Sequence, residues 1–291
     1  MLSADGNPNL AMYSLIVTAV LNVAFNYLFL FELDFGVKGS AWGLICAAAV
    51  GASILFLHFF RKESTLRFRK FSFSWDLLKN TFIIGFPSFI AEVGIAVFTT
   101  GYNIAMVKWA GTAGVSAFSI LNYLHSVILM AFLGMGSAIQ PLISFYRGAK
   151  LRTREKETIR IAVKTAVGIG FGVLLIGFFG ANLMVSVFGN FAEEVRQLAV
   201  DGIRLFFIAY LFMGVNFVMM TYFQATEQVK MAIWITIARE ILLMVAILLV
   251  LPHFIGVNGI WLAIPISEAI VVLTIYLYLR KRSRAAAPVS L

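Results

Sequence analysis

Polar residues in this chain are confined to short runs, and between them lie apolar stretches far longer than a buried core helix needs. Eight stand out, at roughly 10–31, 39–60, 81–107, 116–139, 161–188, 203–223, 231–251 and 257–279. A helix rises about 1.5 Å per residue, so about 20 apolar residues cross the ~30 Å hydrocarbon core of a bilayer. Each stretch meets that length. None shows the alternation that a β-barrel strand requires. Several carry glycine or proline, as at Pro87 and Pro265, which membrane helices tolerate. The pattern predicts an all-α, polytopic integral membrane bundle of about eight transmembrane helices.

Composition agrees. Hydrophobic residues make up 61% of the 291 and charged residues 13%, against about 45–50% and about 25% in a soluble domain. A water-soluble globule cannot hide that much apolar surface. A soluble enzyme and a disulfide-rich secreted chain are thereby excluded. The formal charge of +9 is dispersed between apolar segments rather than gathered in one stripe, so nucleic acid is not an expected partner. Cys46 is the single cysteine and sits in an apolar stretch, while His58, His125 and His253 lie far apart. Neither a disulfide nor a resident metal site is expected. The opening residues are polar, with no basic run before an apolar one, so no removable signal peptide is expected.

Lysine and arginine then set an orientation. One side of the membrane receives the runs 61–79, 147–164, Lys230 and 280–284, eighteen of the 23 basic residues. The other receives Lys38, Lys108, Arg196 and Arg204. By the positive-inside rule both termini are expected in the cytoplasm, with the chain multi-pass in the cell (plasma) membrane and in contact with membrane lipid.

An internal repeat appears next. Phe35-Gly36-Val37-Lys38-Gly39 joins the first span pair, whose second helix ends at Arg61-Lys62; Ile255-Gly256-Val257-Asn258-Gly259 joins the last, ending at Arg280-Lys281. Turn, helix length and basic stop all coincide at an offset of about 220 residues. Glycine at both positions suits a tight turn. Spans one and two therefore correspond to seven and eight. Spans three to eight form one six-helix unit, and the first two are the tail of another. Transporters are often built from such repeated halves.

These segments resemble the multidrug and toxic compound extrusion (MATE) family. The matching residues are Asp5-Gly6-Asn7-Pro8-Asn9-Leu10-Ala11-Met12, then Asn22 to Phe31 with Gly36 to Ala41, and Gly85-Phe86-Pro87-Ser88. Gln140-Pro141-Leu142-Ile143-Ser144, Gly148-Ala149-Lys150, Tyr222-Phe223-Gln224-Ala225, Arg239 and Gly259 to Pro265 complete the set in family order. The resemblance implies two six-helix lobes facing each other across a V-shaped cavity. It also implies export of amphipathic or cationic compounds against inward Na⁺ or H⁺ flow, with no cofactor beyond that ion and no enzymatic activity. On this reading residues 1–62 are the last two helices of the N-terminal lobe, 63–80 a cytoplasmic linker, 81–280 the six-helix C-terminal lobe and 281–291 a cytoplasmic tail. The chain is then an incomplete two-lobe fold, expected to need its missing N-terminal helices to form a complete transporter. Asn26 stands where many members carry Asp.

Ionisable groups at membrane depth are costly, so each is a functional candidate. Glu92, Glu240 and Glu268 lie about 13–16 Å from the expected starts of their helices, close to mid-membrane. A desolvated carboxyl can exchange a proton near neutral pH, or hold Na⁺ where oxygens surround it. Glu92, five residues after Pro87, is the preferred coupling residue, because the family's acidic residue there often lies eight positions after the proline. Asn103 and Asn216 are candidate oxygen donors. Arg239 and Glu240 point about 100° apart on a regular helix, so each is expected to seek its partner elsewhere; Arg239 reads as a structural charge. Tyr102, Tyr123, Tyr210, Phe217, Met219, Met220 and Phe223 are candidates for a pliable pocket for aromatic cations. A lipid-linked oligosaccharide flippase of the same superfamily, a membrane enzyme and a non-transporting fragment are the other readings. The first wants a basic cavity where only Arg239 offers charge. The second lacks any HExxH or GxSxG pattern. If Glu92 carries the coupled ion, Glu92→Gln should abolish ion-driven dye efflux while the protein stays in the membrane, and unchanged efflux would remove it from that role.

Overall fold

The computed structural model describes residues 8–58 and 74–285, and its regular structure there is helical. The opening residues 1–7, most of the basic linker at 59–73 and the tail beyond 285 lie outside the described residues. The chain divides between Ser74 and Trp75 into two compact units.

The first unit is a hairpin. Helix α1 spans Pro8–Tyr27 and closes on a wide π turn, Leu28–Glu32; α2 spans Gly36–His58. Lipid is as apolar as leucine, so two such helices gain nothing by hiding apolar side chains from it and associate by close packing instead. The sequence provides a stripe for that. Gly39, Gly43, Ala47 and Gly51 recur every fourth residue and so share one face of α2. A Cβ on Gly39 would fall 2.7 Å from the Phe29 carbonyl oxygen, one on Gly43 3.0 Å from the Asn26 backbone nitrogen, and one on Gly51 would run into Thr18 Oγ1. Ala47 is fully buried. Asn26 is spent within its own helix, donating to the Asn22 carbonyl at 2.8 Å and to its side-chain oxygen at 3.0 Å.

The second unit begins with a helical run, Trp75–Gly148. Its apolar part, Phe89–Gly148, is 60 residues long and would reach about 90 Å if straight, three times a bilayer core. It is folded in two at Gly111, whose φ of 58° and ψ of −149° lie outside any helix. Helices α3 (75–110) and α4 (112–148) result. Seven continuous stretches among the described residues have the length and apolarity to cross a membrane. With the third folded in two they make eight spans, as the apolar pattern predicts. Then come α5 (Arg152–Val187), α6 (Glu193–Ala225, eased by a tight turn at Phe207–Ala209), α7 (Val229–Ile255, with a π turn at Ala238–Leu242) and α8 (Val257–Ala285).

The repeat seen in the sequence has a backbone meaning. Gly36 and Gly256 both take positive φ, 54° and 61°. Gly39 and Gly259 both press on the preceding helix, where a Cβ would meet Phe29 O or Leu251 C at 2.7 Å. Gly111 and Gly114 repeat the device between α3 and α4, a third copy.

An aromatic cluster of Phe98, Tyr102, Phe118, Phe206 and Tyr210, with Trp261 also fully buried, fills the centre of this unit. At the basic end, buried Glu155 takes Arg147 Nη1 and the Tyr222 hydroxyl, each at 3.3 Å, tying together the ends of α4, α5 and α6. Helices α5 and α6 come into backbone contact at Gly170, where a Cβ would collide with the Tyr210 carbonyl, whereas Gly172 faces open space. Gly170→Leu should therefore lower the melting temperature of the purified protein in detergent, by an overpacking cost of about 1–3 kcal/mol. Gly172→Leu should leave it unchanged, and equal behaviour of the two would refute the contact.

Candidate functional site

In the second unit a cavity of about 190 Å³ opens among α3, α4, α6, α7 and α8. Its polar lining comes from Glu92 of α3, Asn122, His125 and Ser126 of α4, Arg239 and Glu240 of α7, and Glu268 of α8; Phe98, Phe217, Met213 and Met220 supply apolar walls.

The π turn at Ala238–Leu242 is the local device that builds it. An i→i+5 turn is wider than a regular one and changes the angle between successive side chains. Arg239 and Glu240 consequently both turn inward and pair, Nη2 to Oε1 at 2.7 Å. The expectation that these neighbours are not each other's partners fails, because it assumed 3.6 residues per turn through a segment that is not regular α-helix, while a partner for Arg239 on another helix is found in Glu268 of α8. The same loosened turn leaves the Arg239 carbonyl able to accept from Ser267 Oγ at 3.3 Å, tying α7 to α8.

Helices α7 and α8 run in opposite directions, and Glu240 and Glu268 each lie eleven residues from their starts at Val229 and Val257. That is about 16 Å at 1.5 Å per residue, half a bilayer core, so the two carboxylates meet at one depth. Arg239, 3% exposed, stands between them: its Nε lies 3.5 Å from Glu268 Oε1, and its guanidinium covers the Phe217 ring at 4.2 Å. Glu268 is further held by Asn216 Nδ2, which donates to Oε2 at 2.6 Å and to the Glu268 carbonyl at 3.0 Å. Gly94 on α3 makes room for Glu240, since a Cβ there would collide with Oε2. Arg239 Nε and Nη1, Glu240 Oε2 and Asn216 Oδ1 are buried without a hydrogen-bond partner. With both carboxylates ionised, one guanidinium leaves this group one negative charge in surplus.

The sequence candidates separate by position. Glu240, Glu268 and Asn216 come together with Arg239. Glu92 lines the same cavity from an exposed position on α3, close enough for its charge to act on Glu240. Asn103 is turned back onto its own helix, donating to the Thr99 carbonyl at 2.8 Å. Phe217 and Met220 line the cavity. Tyr102 and Tyr210 are fully buried behind it: Tyr102 accepts from the Ile264 N–H at 3.3 Å, and Tyr210 shares a 3.0 Å hydrogen bond with His125 Nδ1. Met219 and Phe223 are packed in the core, and Tyr123 faces outward, 67% exposed, stacked on Phe188. The sequence offered no signal for the His125–Tyr210 pair, whose members are 85 residues apart.

Comparison with known proteins matches this architecture. A family model described as MatE matches residues 87–250. The multidrug export protein MepA of Staphylococcus saprophyticus is 26% identical over 273 residues, covering 91% of this chain and 58% of its own length. The MepA of Staphylococcus haemolyticus is 23% identical over 269 residues, covering 92% and 59%. The chain thus spans under six-tenths of these curated relatives. Among solved structures, a MOP superfamily transporter from Pyrococcus furiosus superposes with a TM-score of 0.88 at 20% identity, over 98% of this chain and 64% of its own. A mutant of the Vibrio cholerae MATE transporter VcmN gives 0.83 at 23%, over 98% and 64%. The family match takes in more than half of the chain, including α6 and most of α7 with Asn216, Arg239 and Glu240, and the chain belongs to the MatE family.

Proposed function

We propose that this chain provides one lobe and part of a second in a secondary transporter that exports amphipathic or cationic small molecules against an inward flow of Na⁺ or H⁺. The observation that carries the reading is the group Glu240–Arg239–Glu268–Asn216 at mid-membrane depth, with Glu92 at the cavity wall. A charge at that depth is expensive and persists where it marks a path for ions or substrates. A surplus negative charge in a cavity walled by Phe217, Phe98 and Met220 favours a ligand that is cationic and apolar at once. Carboxylates supply the charge, aromatic faces a cation–π surface and methionines a deformable wall. Antiport follows if organic cation and driving ion neutralise the same surplus charge, because occupancy by one then disfavours the other.

The names of the MepA relatives, multidrug export proteins, support the same reading. The flippase alternative wants an unpaired positive charge for a phosphate, and Arg239, the buried cation of this cavity, is already engaged by Glu240 and Glu268.

Two measurements test the proposal. Purified protein should bind ethidium, read by its fluorescence. Glu268→Gln should weaken binding about tenfold, the equivalent of ~1.4 kcal/mol, while Tyr123→Ala, altered on the outward face, should bind as the parent does. In vesicles of the transport-competent protein, Glu240→Gln and Glu268→Gln should each stop gradient-driven ethidium export at unchanged membrane levels. Parent-like export by both variants would sink the reading.

A further inference from the structure

A hard cation such as Na⁺ is held by oxygen lone pairs directed at one point. The buried cluster offers the reverse arrangement. Glu240 Oε1 accepts from Arg239 Nη2 at 2.7 Å, Glu268 Oε1 faces Arg239 Nε at 3.5 Å, and Glu268 Oε2 accepts from Asn216 Nδ2 at 2.6 Å. Two of the four carboxylate oxygens thus accept from N–H groups, a third lies against the guanidinium as an ion-pair contact, and that guanidinium stands between the two acids. The fourth, Glu240 Oε2, is buried without a hydrogen-bond partner and packed against Gly94. An oxygen so placed has room for a hydrogen atom but not for an ion with its ligand shell.

We infer that Arg239 is the resident cation of this site, a specificity-determining residue that occupies the metal seat between Glu240 and Glu268 and restricts exchange to a proton on Glu240. The part this plays in coupling rests on the export reading; the ion chemistry stands apart from it. Charge balance gives the same answer. Ionised Glu240 and Glu268 against one Arg239 leave a single negative charge, and one proton on Glu240 removes it. Of the other groups around Arg239, those buried with it leave that count intact. Asn216 of α6 is neutral, Phe217 covers the guanidinium face, and His125 of α4 is held by Tyr210 of α6. Glu92 of α3 adds its own charge from an exposed position on the cavity wall. In the exchange step the O–H bond of the Glu240 carboxyl breaks, the proton passes to cavity water and the electron pair stays on Oε2. The surplus charge is then open to an organic cation.

Infrared difference spectroscopy on the purified chain tests this without any transport. The carbonyl stretch of a protonated carboxyl, assigned by its loss in Glu240→Gln, should bleach as pH is raised and should not respond when choline chloride is replaced by NaCl at constant pH. In Arg239→Gln, which empties the seat, the same exchange should bleach the band; in Arg239→Lys, which keeps a cation there, it should not. Bleaching of the wild-type band by Na⁺ overturns the inference, as does a wild-type carboxyl band that survives in Glu240→Gln. Should Arg239→Gln fail to fold, the wild-type titration decides alone. Failure of the export reading would look different: no ethidium binding, with the infrared behaviour as described.

Discussion

The pairing of one guanidinium with two carboxylates at mid-membrane depth is the interaction around which the second unit is arranged. Removing one partner from a buried ion pair typically costs about 3–5 kcal/mol, because the charge left behind has no water to turn to. Helices α7 and α8, which carry Arg239, Glu240 and Glu268, are held in register by that penalty, and α6 joins them through Asn216. The π turn in α7 is the backbone concession that makes the arrangement possible. It also exposes the Arg239 carbonyl, and Ser267 takes up the acceptor so released. Local strain in one helix thus appears as a bond to the next.

Elsewhere the helices meet by a different principle. The stripe Gly39, Gly43, Ala47 and Gly51 brings two backbones together with no polar contribution from side chains, and Gly170 does the same for α5 and α6. Dispersion depends steeply on distance, and removing a Cβ lets many atoms approach at once. Close contact gives cohesion without a site; buried charge gives a site at a cost in cohesion. Among the described residues the first holds most of the helices, and the second is concentrated in the cavity, with Glu155 and Arg147 as a smaller instance at the basic end.

Much of the fold was legible because lipid leaves the backbone few options. Eight spans follow from apolar length alone, and the glycines at 36, 39, 256 and 259 announced their turns as a repeated string. The third copy, Gly111-Thr112-Ala113-Gly114, is not legible as one because it lacks the valine and its helix runs on to a basic stop at Arg147, well beyond the length that made the other two look alike, although its backbone does the same work. Within the site, the acids were visible as charges where charge is costly, but their partnerships were not. Helical periodicity sent Arg239 and Glu240 apart, and no propensity announces a π turn. Facing was the other blind spot. In spans so largely apolar, Tyr123 toward the outside and Tyr210 toward the core are each followed by leucine, and composition cannot say which tyrosine sees lipid.

The three glycine turns carry a consequence for how the chain enters a membrane. Between α3 and α4 a single residue reverses the backbone, and between α7 and α8 Gly256 alone separates one span from the next. A connection that short has no slack to let one helix settle across the bilayer while its successor waits outside. These two pairs must therefore be inserted as folded hairpins, the two arms of each leaving the insertion machinery together. The turn glycines are checkpoints of biogenesis as much as features of the finished structure.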